Sequence, residues 1–293
     1  MSQEKPLVTI IIPVFNGENY LNQAIKSALA QTYEQIEIIV INDGSVDDNK
    51  TRKIAEEFLP RIRYIELEKN LGVAAALNRG IKESRGKFIS WLSHDDLYHP
   101  NKISKQIELY HTNIKDNVVI YCNYELIDNS GKSLGVNTNL IVGKEQFRFS
   151  LLNRGNLHGC SLLIPIKAFH EHGDFDESLE TVQDIDMWFR ISKTFEFKYL
   201  PQELVYFRIH QEQDSLVKAS IAESECNVFF VKSILDLTAS EIEIGSNSKP
   251  FSGYFLLINS LKTRKLNIAA QEIENFLGLK YKIYAKLRRF RFL

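Results

Sequence analysis

No apolar run in this chain approaches the ~18 residues that a membrane-spanning helix needs, and stretches such as Ile36–Ile41 are far shorter. The opening residues, Met1–Ser2–Gln3–Glu4–Lys5–Pro6, lack a basic start followed by a long apolar segment, so no signal peptide is expected. Cysteine is scarce: Cys122, Cys160 and Cys226 are an odd number, widely spread, without the close pairing of a zinc site. Three free thiols in a reducing cytosol are the simplest reading. The net charge is −1, which leaves no global field to attract nucleic acid. No internal repeat or low-complexity segment interrupts the chain. A nicotinamide-binding domain would need G-x-G-x-x-G after its first strand, and Pro13–Val14–Phe15–Asn16–Gly17 does not supply it. The P-loop pattern is absent too.

What is present is an ordinary globular composition, 44% hydrophobic and 25% charged over 293 residues, enough for a substantial core. The first half alternates strand-like and helix-like stretches. Val8–Ile12 and Ile36–Ile41 read as strands, the first stopped by Pro13 and the second by the turn Asn42–Asp43–Gly44–Ser45. Leu21, Ile25, Ala28 and Leu29 recur at helical spacing, as do Ile54, Ala55 and Phe58, and later Ala74–Leu77. Ile62–Ile65 is a short strand. Gly86 closes a helix and opens the run Lys87–Leu92, which ends in Ser93–His94–Asp95–Asp96. Strands and helices in this order imply βαβ crossovers and a largely parallel sheet, whose ligands bind at the carboxyl ends of strands. Two adjacent acids there repel each other, and a divalent cation held with a phosphate would relieve them. The competing explanation is that they begin the helix expected near Pro100. Val118–Cys122, Tyr124–Ile127 and Cys160–Ile164 add further strands, a hairpin turn falls at Asn129–Gly131, and Val182–Arg190 is helical. From about Gln211 onward helix dominates.

These pieces, in this order, resemble the family-2 glycosyltransferases of the GT-A fold over roughly residues 6–210. The resemblance rests on Val8–Glu18, Asn42–Asp47, Asn70–Gly72, Asn78–Ile81, Leu92–Asp96 with Pro100, Phe175–Glu177, Gln183–Arg190 and Tyr206–His210. It implies a Rossmann-like, mostly parallel α/β sheet in a transferase domain of residues 1–210. A nucleotide-sugar half spans about 1–100 and an acceptor half about 101–210, with a helical extension over 211–293. It further implies a nucleotide-diphosphate sugar as donor, with UDP the commonest nucleotide among similar enzymes. The acceptor would be a glycan or lipid-linked sugar in cell-surface polysaccharide synthesis.

The resemblance assigns roles to individual residues. Pro13, Phe15, Asn16 and Glu18 would approach the nucleotide, Asp43 would accept from the base N–H, and Asn78 and Asp95 would complete the donor contacts. Asp43 is also explained as a turn-forming Asp before Gly, and Asn78 as part of a polar helix face. Asp95, Asp96 and His210 would hold Mn²⁺ or Mg²⁺. Ser93 stands where the fuller pattern carries an acid. Asp184 would be the catalytic base of an inverting displacement. Its expected acidic neighbour is replaced by Gln183, so a like charge that would raise its pKa is missing. His158 is a candidate acceptor contact or a plain loop residue. The basic tail Lys280–Leu293 reads either as an amphipathic surface for an anionic bilayer, which would place the enzyme at the inner face of the plasma membrane, or as packing on the body or on a second subunit in a homodimer. The alternatives to an active enzyme are a degenerate nucleotide-sugar-binding subunit and a nucleotide-sugar pyrophosphorylase, the latter lacking its Gly-rich first loop here.

Overall fold

The computed structural model describes residues 5–112, 116–138, 142–155, 157–213 and 217–289, with side chains to residue 278. The chain divides into two compact units, Met1–Asn139 with Leu157–Gln213, and Leu140–Asn156 with Asp214–Leu293. The basic tail falls outside the described side chains.

The first unit is built on a sheet of nine strands. Val8–Val14 (β1) lies at its heart, fully buried, because an unbroken β-branched run offers both faces to a core. Ile36–Asn42 (β2), Arg63–Glu66 (β3) and Phe88–Trp91 (β4) join it in parallel, β1 pairing with β2 on one side and β4 on the other. β1 extends past Pro13, which pairs in register with Ile41. The missing N–H is harmless there, because pairing with β4 stops at Ile11. The crossovers are Leu21–Leu29 (α1), Lys50–Glu56 (α2) and Val73–Glu83 (α3), and α1 lays Leu21, Ala24, Ile25 and Ala28 on the sheet. Helix α3 ends at Glu83, with Ser84 extended, rather than at Gly86.

Beyond β4 the order becomes mixed. Leu97–Tyr98 (β5), Lys102–His111 (α4), Val118–Ile127 (β6) and Ser133–Asn137 (β7) follow. The two short strands expected across 118–127 are thus one ten-residue strand. Lys144–Arg154 (α5) belongs to the second unit, and Leu162–Pro165 (β8), Ile166–His172 (α6), Gln183–Ile191 (α7) and Glu196–Arg208 (β9) complete the first. The sheet order is β3-β2-β1-β4-β8-β6-β9-β5, with β7 on β6. β8 runs antiparallel to β4 and β6, while β6 and β9 are parallel. β9 escapes the sequence reading because Pro201 and its charged residues blur the strand pattern.

The second unit is helical: α5, Ala219–Asp236 (α8), Ala239–Ser246 (α9), Pro250–Thr263 (α10) and Asn267–Arg289 (α11), the last interrupted at Gly278. Arg148 on α5 pairs with Asp236 (2.6 Å) and with Glu241, and the α9 start carries a reciprocal capping box between Thr238 and Glu241.

Gly44, in the turn after β2, holds a φ of +64°, and a Cβ there would lie 2.3 Å from the Lys69 carbonyl carbon. Main chain cannot yield as a side chain does. Gly44→Ala is expected to cost about 1–3 kcal/mol of stability, read as a lowered urea midpoint at unchanged slope.

Candidate active site

The carboxyl ends of β1, β2 and β4 open toward one edge of the sheet, and the residues just past them carry the polar chemistry. After β1, Asn16 takes a left-handed conformation (φ 52°). Its side-chain carbonyl accepts the Val46 N–H (2.9 Å) and its own N–H is donated to Ser45 Oγ (2.8 Å), which binds the first turn to the second. Phe15 is 38% exposed beside it, and Glu18 pairs with Lys50 at 2.8 Å. Past β2, Asp43 is buried. Its two carboxylate oxygens accept the N–H groups of Leu71 and Gly72, each at 2.8 Å. It therefore clamps the Asn70–Gly72 loop that leads into α3.

The acids after β4 do not face one target. β5 pairs with β9 so that Leu97 sits opposite Tyr206, which brings the end of β9 onto the Asp95–Asp96 turn. Asp95 Oδ2 lies 2.9 Å from His210 Nε2. Asp96, 1% exposed, turns inward: Oδ1 accepts the Arg208 N–H (3.0 Å), while Oδ2 accepts from Cys160 Sγ (3.4 Å) and lies 3.6 Å from His158 Nε2. Burial, followed by the neighbouring Asp95 charge, pushes the Asp96 carboxyl well above the usual carboxylate range. Of the three expected metal ligands, two meet and the third sits among other partners.

Asp95 and His210 fit a hard divalent cation. Ligand bonds of about 2.1 Å at right angles place neighbouring donors about 3 Å apart, the separation of this pair.

Asp184 is the second residue of α7 and half-buried. Its Oδ1 accepts the Ile185 N–H (2.6 Å), and among the described residues no ion pair is formed with it. Burial pushes its carboxyl up to about 6. Its neighbour Gln183 is buried with Oε1 unpartnered. Asn78 stands apart from the acids. Its amide accepts the Phe175 N–H and donates to the Phe175 carbonyl, both at 2.9 Å, and also reaches Glu177. The Phe175 ring so held lies between Trp91 at the end of β4 (centroids 6.4 Å apart) and Trp188 on α7 (5.9 Å). Asn78 thereby joins the strand that leads to the acids with the helix that carries Asp184.

Residues 9–173 match the sequence model described as glycosyl transferase family 2. The chain belongs to that family. An uncharacterized glycosyltransferase of Rickettsia bellii is 47% identical over 81% of this chain, and chondroitin synthase of Escherichia coli is 28% identical over 74%. The chain spans only 34% and 31% of the length of those relatives. S. aureus TarS, solved with UDP-GlcNAc, superposes with a TM-score of 0.65 at 16% identity, covering 87% of this chain and 79% of TarS. The architecture is the GT-A fold.

Family membership leaves one residue of this site without a role in the sequence reading. Arg208, 1% exposed, donates through Nε to the Asp95 carbonyl (2.9 Å), through Nη1 to the Asp128 and Asn129 carbonyls, and through Nη2 to Gln23 Oε1 (2.9 Å). Its guanidinium carbon is 4.5 Å from the centre of the Tyr20 ring. The available signal was an arginine two residues before a histidine. Cys160 was also missed as a partner of Asp96, since the two are distant in the chain. Arg208→Leu strands several buried acceptors and is expected to lose about 3–5 kcal/mol, measured by chemical denaturation, with nucleotide binding lost in parallel.

Proposed function

We propose that this glycosyltransferase moves a sugar from a UDP-sugar to a hydroxyl of a glycan or lipid-linked acceptor in polysaccharide synthesis, with inversion at the anomeric carbon. The observation that carries the reading is Asp184, a half-buried carboxylate at a helix start that forms no ion pair among the described residues and whose pKa burial raises to about 6. A base with that pKa is ionised at neutral pH yet holds a proton better than a solvated aspartate. Asp184 takes the acceptor hydroxyl proton as that oxygen bonds to the anomeric carbon, and the bond from that carbon to the nucleoside diphosphate breaks. One base and one in-line attack invert the centre. No covalent sugar–enzyme species is needed.

Asp95 and His210 would hold Mn²⁺ or Mg²⁺, which supplies positive charge beside the leaving diphosphate. The turn Pro13–Glu18, with Phe15 as its exposed apolar surface, and the Asp43-clamped loop form the nucleotide side. This corresponds to the donor half before residue 100, with the acceptor half following to about 210 and the helical extension beyond. The UDP-GlcNAc bound by TarS and the polymer named for chondroitin synthase support these choices of nucleotide and acceptor class. No helix among the described residues is long and apolar enough to cross a membrane. A lipid-linked acceptor would then be met at the bilayer surface.

Three outcomes are expected. In a thermal-shift panel of UDP, GDP, CDP and dTDP with and without Mn²⁺, UDP with Mn²⁺ raises the midpoint by several degrees, since a site filled at ~100 times its Kd adds about 2.7 kcal/mol. A panel with no shift at all would overturn the donor reading. Asp184→Asn lowers kcat at least ~100-fold while the UDP shift persists. Because the base must be ionised, kcat in the parent enzyme falls as pH drops through about 6, and a rate flat from pH 5 to 7 would exclude Asp184 as that base.

A further inference from the structure

We propose that Asp96, His158 and Cys160 form a second cation site, separate from the Asp95–His210 pair, that takes a thiophilic divalent ion of the Zn²⁺ class. The three side chains each offer one ligand atom, and those atoms all lie within 4.8 Å of one another. Tetrahedral Zn²⁺, with bonds of about 2.0–2.3 Å, sets its ligands about 3.3–3.8 Å apart. Asp96 Oδ2 is 3.4 Å from Cys160 Sγ and 3.6 Å from His158 Nε2.

The surroundings are those of a supported ligand set. Cys160 Sγ accepts the Ser93 N–H at 3.2 Å and lies 3.4 Å from Ser93 Oγ; these contacts hold the sulfur in place, while burial pushes the thiol well above its usual range, so an ion would bind it with loss of its proton. Asp96 Oδ1 is fixed by the Arg208 N–H, which leaves Oδ2 for the ion. The His158 ring is held by Phe207 (centroids 4.5 Å) and Tyr124 (5.1 Å), and the carbonyl of His158 accepts the Ser161 N–H and hydroxyl, which fixes the turn. Its neighbour Gly159 is packed so closely that a Cβ would sit 2.4 Å from the Trp91 ring, so the turn has one way to lie. His158 is 17% exposed, and that opening is the way in.

One thiolate, one imidazole and one carboxylate select Zn²⁺ over Mg²⁺, whereas Asp95 and His210 with diphosphate oxygens form a harder site. The two adjacent acids thus serve two ions of different character. An ion in the inner site ties the Asp95–Asp96 turn to the His158–Ser161 turn at the start of β8. The inference does not depend on the donor assignment.

The test is Co²⁺ titration of the full chain, without nucleotide, followed by near-ultraviolet absorption. One equivalent of Co²⁺ is expected to give a thiolate-to-metal charge-transfer band that Zn²⁺ abolishes and Mg²⁺ does not. The band disappears in Cys160→Ser and persists in Cys122→Ala, Cys226→Ala and His210→Ala. His158→Ala is expected to weaken Co²⁺ binding at least ~10-fold, a readout that stands if Cys160→Ser does not fold. The proposal is overturned by no band in the parent protein, by a band that survives loss of Cys160, by unchanged affinity in His158→Ala, or by a band that also vanishes in His210→Ala.

Discussion

The buried guanidinium of Arg208 is what the acidic end of this sheet depends on. Taking an arginine out of water costs several kcal/mol even after relaxation, and among the described residues no carboxylate forms an ion pair with its guanidinium. The cost is offset by four acceptors, the carbonyls of Asp95, Asp128 and Asn129 and Gln23 Oε1, together with the face of Tyr20. Those contacts come from the turn after β4, the turn between β6 and β7, and α1. One side chain therefore fixes three segments that no regular ladder joins. Its backbone N–H adds a second tie to the turn after β4, at Asp96. The end of β9 can reach this place only because β5, two residues long, pairs with β9 in antiparallel register.

The same contacts separate two carboxylates that adjacency would set against each other. Asp96 goes inward, where burial favours its protonated form, while Asp95 stays beside His210 near solvent. Two like charges cannot both be ionised at close range without a cation between them. The fold handles this by giving the two groups unequal environments rather than by removing one. Ser93 fits the same logic. An acid at that position would meet the Cys160 sulfur and add a negative charge beside Asp96, whereas the serine hydroxyl shares a neutral hydrogen bond with it.

Much of this was legible from sequence, and the parts that were not share a cause. The alternation of β-branched runs and helical spacing specified the parallel half of the sheet, because each strand and its crossover are contiguous in the chain. The order of short motifs carried the family and hence the GT-A fold. The division of labour within those motifs was hidden. Asn78 reads as a donor contact, and the fold also engages its amide with Phe175; Asp43 reads as a base acceptor, and its oxygens also accept from Leu71 and Gly72. In each case the partner lies far along the chain, so only the folded register shows it. β9 was hidden for a different reason: its charged and proline-containing pattern becomes a strand only because β6 supplies a parallel partner along most of its length.

Asp184 is the clearest case of environment outweighing a local substitution. With Gln183 in place of an acid, the loss of a neighbouring negative charge argues for a more acidic, less basic Asp184. Burial acts in the opposite direction and is the larger effect, leaving the carboxyl at about 6. On the same helix Trp188 is buried against Phe175, which the Asn78 amide holds in turn. A neighbouring carboxylate would have raised the pKa by repulsion that a bound cation or salt can cancel. Desolvation is not cancelled in that way, so the raised pKa of Asp184 does not depend on a neighbouring charge.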